Sequence, residues 1–119
     1  GDEKLHLYVQ VNPTTYKVFK SSYNDDGVEV DNVYYDNIVN VNIYRGASRI
    51  FGRDFRKEDF EGQVPHEFLK QAILSDIVLK KVDTDGLHYR VVLAMPDSSM
   101  SYQVEIIISL EGKMTIKKS

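Results

Sequence analysis

A chain of 119 residues, 42% apolar and 28% charged, can bury a core of its own and reads as one domain spanning residues 1–119. Its net charge of −3 supplies no field to gather nucleic acid, and the absence of Cys excludes disulfide and thiol chemistry. No apolar run approaches the roughly 18 residues that a membrane-spanning helix requires.

In chain order, residues 4–11 set Leu5, Leu7, Val9 and Val11 against Lys4, His6, Tyr8 and Gln10, the period of a strand with one buried side. Gly1 reads as a remnant of tag removal, and residues 1–3 as a disordered start. Asn12-Pro13-Thr14 predicts a turn and residues 15–20 a second strand. Residues 21–36 are rich in turn formers and carboxylates, with no Lys or Arg between Lys20 and Arg45, and predict a long acidic loop. Alternation returns over 37–45, Val39, Val41 and Ile43 facing away from Asn40, Asn42 and Tyr44, and Gly46-Ala47 turns into a strand near 48–55. On that strand Arg49, Phe51, Arg53 and Phe55 are expected to share one side, with Arg stems lying over the rings.

The period then changes. Val64, Phe68, Leu69, Ala72 and Ile73 recur at helical spacing, with Pro65 at the start and Glu67 in the first turn, and predict one helix of about three turns near 65–74. Four strands follow near 76–83, 87–95, 101–110 and 113–118, separated by Thr84-Asp85-Gly86, Met95 to Ser99, and Glu111-Gly112. Strands joined by such short turns are antiparallel. The predicted class is α+β and predominantly antiparallel β: about eight strands in a curved meander sheet, small sandwich or partial barrel, covered by the helix.

Reactive chemistry is harder to place. An EF-hand loop centred on Gly27 would put Val33 where a bidentate Glu is needed, and one centred on Gly86 would put Val92 there. A looser oxygen site from Asp25, Asp26 and Glu29 competes with a plain solvated turn. His6, His66 and His88 have no zinc-type spacing, and His6 and His88 read as surface residues on polar strand faces. There is no nucleophile elbow and no phosphate-cradling glycine loop, and nothing places Glu58 and Asp59 or any other acids across a cleft. No cofactor or metal is implied, and the chain does not read as an enzyme. Two surface clusters remain. Arg45, Arg49, Arg53, Arg56 and Lys57 form a local basic strip suited to an acidic partner, phosphate or headgroup, or to a charged edge strand. Tyr34, Tyr35 and Tyr44 among Asn and Asp offer flat area with hydrogen bonds, the composition of a glycan or peptide surface, or else rings that pin the loop to the sheet.

The strings Phe55-Arg56-Lys57-Glu58-Asp59-Phe60, Phe68-Leu69-Lys70-Gln71-Ala72-Ile73-Leu74, Gly86-Leu87-His88-Tyr89 and Pro96-Asp97-Ser98 resemble, over roughly residues 32–118, Bacteroidetes envelope lipoproteins known only as a domain of unknown function. The resemblance implies an exported domain, at the periplasmic or outer face of a Gram-negative envelope, held by a lipid anchor upstream of residue 1. It implies no activity and no site residues. Together these readings give a non-catalytic binding or interaction module for an acidic, glycan or peptide ligand, through Tyr34, Tyr35, Tyr44, Arg45, Arg49 and Arg53. A small carboxylate-dependent hydrolase or lyase, and a structural subunit that pairs through a strand edge, are the alternatives.

Overall fold

The alternating segments form seven strands among the described residues: β1 (Leu5–Tyr23), β2 (Glu29–Arg45), β3 (Ser48–Phe55), β4 (Ile73–Asp83), β5 (Gly86–Ala94), β6 (Ser101–Ile108) and β7 (Met114–Lys118). The computed structural model describes residues 4–23 and 26–118. The readings placed on residues 1–3 and on Asp25 lie outside them.

Every ladder is antiparallel, in two open sheets ordered β1-β2-β3 and β4-β5-β6-β7. This is the predicted α+β, mostly antiparallel architecture, in its two-sheet form. Val39, Val41 and Ile43 of β2 face Leu87, Tyr89, Val91 and Leu93 of β5 and Val104, Ile106 and Ile108 of β6, all 0% exposed, in one shared core. The Tyr89 hydroxyl has no hydrogen-bond partner among the described residues, and burial pushes its pKa up to about 12.

Between β3 and β4 the chain closes one end of the core. A 3-10 turn (Lys57–Phe60) and the helix α1 (His66–Gln71) bury Phe60, Val64, Phe68 and Leu69. Asp59 accepts from the Arg56 N–H at 2.8 Å, and Lys57 Nζ donates to the carbonyls of Leu69 and Ala72 at 2.8 and 2.9 Å, satisfying the helix C-terminus with a cation. The helix is six residues, shorter than the three turns predicted: Ala72 is already extended, and Ile73 pairs with Ala94. Sheet pairing takes over where periodicity alone continues the helix. The last hairpin also turns more widely than Glu111-Gly112, with Ser109 N–H bonded to Lys113 O at 2.8 Å. Gly112, at φ 84°, lies so close to β3 that a Cβ there would strike the carbonyl oxygen of Ile50.

The largest correction concerns residues 21–36. Most of the described residues there are strand, not loop: β1 runs on to Tyr23, β2 begins at Glu29, Asp26 to Val28 lie in the turn between them, and the two strands stay paired from Tyr23↔Glu29 to Leu5↔Arg45. The predicted turn at Asn12-Pro13-Thr14 is instead a bulge within one strand, three residues of β1 opposing Asp36 between Pro13↔Asn37 and Lys17↔Tyr35. A 19-residue strand at ~3.4 Å per residue is roughly 65 Å long, which sets the molecule's 68 Å longest dimension. At the bulge β2 turns to meet β4. Asp36, 6% exposed, accepts from the Leu74 N–H at 2.8 Å, and Asn37 Nδ2 donates to Leu74 O at 2.9 Å, so two side chains of one sheet stand in for a strand partner of the other.

Candidate functional site

Opposite residues of an antiparallel ladder share a face. With Val39, Val41 and Ile43 committed to the core, the other side of β2 looks outward, together with its partners. Three cross-strand rows result: His6–Tyr44–Arg49, Tyr8–Asn42–Gly52 and Gln10–Asn40–Asp54. His6, Tyr8 and Gln10 are exposed. His6, Tyr8, Asn42, Tyr44, Gly46 and Ala47 line an open depression of about 630 Å³. Tyr8 meets Tyr44 edge-on, with centroids 6.0 Å apart. Beside the rings, Asn42 Nδ2 donates to Asn40 Oδ1, and Asn40 Nδ2 donates to Asp54 Oδ1 at 2.8 Å; the carboxylate, an acceptor only, fixes the direction of both amides. Gly52 leaves flat backbone over which the Arg49 guanidinium lies. The chemistry on offer is aromatic area, oriented amides, an imidazole and one guanidinium, in a shallow site that suits reversible binding.

Of the residues singled out from sequence, the structure brings Tyr44 and Arg49 to this face. Ten residues of β2 at ~3.4 Å place Tyr34 roughly 34 Å from Tyr44. The Tyr34 hydroxyl bonds Asp97 Oδ2 in the β5–β6 turn, while Tyr35, 52% exposed, pairs with Lys17 on the other side of the hairpin. The basic strip is dispersed. Register slips between Ile43↔Phe51 and Tyr44↔Arg49, leaving Ile50 as an extra residue, so Arg49 does not share a side with Phe51, Arg53 and Phe55 as its spacing predicted. Arg53 sits 5.0 Å over the Phe55 ring and pairs with Asp59 at 3.2 Å. Arg56 lies 5.2 Å over Tyr16, Lys57 caps the helix, and half-buried Arg45 stands opposite Leu5.

A second polar cluster lies on the other sheet. His88 is 5% exposed, not the surface residue predicted, because β5 is an inner strand with neighbours on both sides. Its Nε2 lies 2.8 Å from Asp83 Oδ1 and its Nδ1 3.0 Å from Glu105 Oε1. Protonation at both nitrogens lets the ring donate to both carboxylates at once. Asp83, then Glu105, accordingly hold the ring's pKa above the usual 6.5, burial opposing them, and the bond from His88 holds Asp83 below 3.8. Asp83, Asp85 and His88 have ligand atoms within 4.8 Å of one another, and a metal there would compete with the ring proton that Asp83 favours. The stabilisation from His88 is complete below pH 6.5 and is lost as pH rises through its raised folded value; that from Asp83 is present above 3.8 and is lost as pH falls through its lowered one. Urea midpoints should therefore fall as pH rises above 6.5, and H88Q should flatten that limb. The same slope in both proteins would remove the assignment.

Comparison with known families matches residues 1–116 to a domain of unknown function, DUF4738. The chain belongs to the DUF4738 family. A comparison with curated proteins finds no match.

Sequence reasoning missed three parts of this DUF4738 chain's sites. His6 and Tyr8 were legible only as the polar side of a strand, and nothing local says which polar side stays uncovered. Asp54 and Asn40 meet through register. The buried His88 had one available signal: it sits between Leu87 and Tyr89 in the middle member of three consecutive hairpin strands.

Proposed function

We propose that this DUF4738 domain is a non-catalytic binding module of the bacterial envelope, held there by a lipid anchor upstream of residue 1, and that it takes a neutral glycan on the outer face of β1-β2-β3. The anchor and the envelope rest on the lipoprotein resemblance. The glycan rests on one observation, the Tyr8–Tyr44 ring pair beside the ordered Asn40–Asn42 amides in an open 630 Å³ depression. An exposed tyrosine ring offers a flat apolar plate to sugar C–H groups, and amides pair with hydroxyls as both donor and acceptor. Tyr34 and Tyr35 take no part.

Glycan-array screening followed by calorimetry tests this. With a bound oligosaccharide in hand, Y8A and Y44A should each weaken it about 30-fold, as a central aromatic worth about 2 kcal/mol does, while Y35A leaves affinity unchanged. Equal affinity in Y8A, Y44A and the parent would sink the site. Failure of the native gene product to incorporate palmitate would sink the anchor.

A further inference from the structure

We propose that the free edge of β1 takes a second copy of this chain, the two β1 strands pairing antiparallel about a two-fold axis at Tyr8, so that the outer-face site continues from one copy into the next. Only that last clause rests on the binding role proposed above.

The backbone fixes the register. Gly46 N–H donates to Lys4 O at 2.9 Å, one step beyond Leu5↔Arg45, making Lys4 and Gly46 a hydrogen-bonded pair. Antiparallel pairs alternate, and the ladder runs without a shift to Pro13↔Asn37. His6, Tyr8, Gln10 and Asn12 therefore turn their backbone polar groups to β2, and Leu5, Leu7, Val9 and Val11 turn theirs to the other edge, where no strand pairs among the described residues. Pro13 confirms the parity: its nitrogen, which has no hydrogen to give, falls on the outward side, where a strand tolerates proline. Proline also ends the usable edge. The register that employs all four outward residues is Leu7 with the second copy's Val9 and Leu5 with its Val11, centred on Tyr8.

The side chains agree with that register. Inward positions meet apolar to apolar, and Val9 and Val11, still 38% and 39% exposed, gain cover. Outward, His6 meets Gln10 and Tyr8 meets Tyr8. Residues 5–12 contain no Asp, Glu, Lys or Arg, so two copies approach without like-charge repulsion. The other sheet edges are defended: β3 carries Arg49, Arg53 and Asp54, β4 carries Lys80 and Lys81, and β7 carries Lys117 and Lys118. An uncharged eight-residue edge, in a protein that charges its other three, is fitted to strand pairing. Tyr8 is a non-hydrogen-bonded pair on the axis, with Cα atoms ~4.5 Å apart, which doubles the ring surface beside Tyr44.

Sedimentation equilibrium of the full chain, from micromolar to near-millimolar, should show a reversible monomer–dimer equilibrium without any ligand. Val9→Pro removes the same outward N–H from both copies and should weaken the dimer about tenfold or more. Residues 1–119 contain no Cys, so in this chain Tyr8→Cys gives a clean cross-link: ~4.5 Å between Cα atoms lies within disulfide range, and diamide should yield a covalent dimer, while Tyr35→Cys on the hairpin arm stays monomeric. A monomer at every concentration, with Tyr8→Cys cross-linking no better than Tyr35→Cys, overturns the proposal. So does a monomer that binds an extended peptide at this edge, which would change the occupant. Because none of these measurements involves a glycan, they leave the binding role to stand or fall on its own calorimetry.

Discussion

Replacing Phe55 with alanine is expected to remove about 3–5 kcal/mol of stability, the cost of deleting a buried aromatic ring whose site cannot collapse. Phe55 is 0% exposed and stacks between Phe51 and Phe60, with centroids 6.3 and 6.0 Å away and the Arg53 guanidinium on its flank. As the last residue of β3 it packs on Phe60 of the 3-10 turn, so the gap would open where the end cap meets the sheet. A domain holds about 5–15 kcal/mol in all, and F55A should sit near the edge of unfolding at room temperature. Urea denaturation with an unchanged m-value measures the loss. A loss below about 1 kcal/mol would mean that the ring is not part of the packed core.

Removing the Asp36 carboxyl should cost less, yet more than an ordinary polar substitution. Its Oδ1 accepts from the N–H groups of both Leu74 and Asn37, each at 2.8 Å, and the Leu74 bond is buried. D36A orphans both donors, at about 1–3 kcal/mol for each one that stays dry. D36N keeps an oxygen in place and should retain more than half of what D36A loses. Equal losses would show that charge, not the acceptor atom, holds the sheets together there.

The contrast between these residues explains what the sequence could show. The strands from β4 to β7 were legible because alternation and short turns are local, and Val91, Val104 and Ile106 announce their side directly. Residues 21–23 and 29–36 were not, since Asn and Asp favour turns in isolation and only the partner strand holds Asp31 and Asn32 extended. The helix was found at its start, through Pro65 and Glu67, and overrun at its end, where β5 claims Ile73. Of the outer face of β1-β2-β3, Tyr44 and Arg49 were visible as residue types. Tyr44 meets His6 through the β1–β2 register, and the placing of Arg49 beside Tyr44 and apart from Arg53 depends on a one-residue slip at Ile50; no local pattern records either.

The long hairpin has a further consequence. Among its described residues, Val18, 3% exposed, and Tyr34 against Asp97 tie it to the body, while Phe19 and Val33, paired with each other, are 60% and 43% exposed. A pair as exposed as Phe19↔Val33 can open at a lower free energy than the ladders of the buried core. One continuous ribbon thus carries two grades of burial, and an opening at Phe19 and Val33 need not be felt at the Tyr8 face.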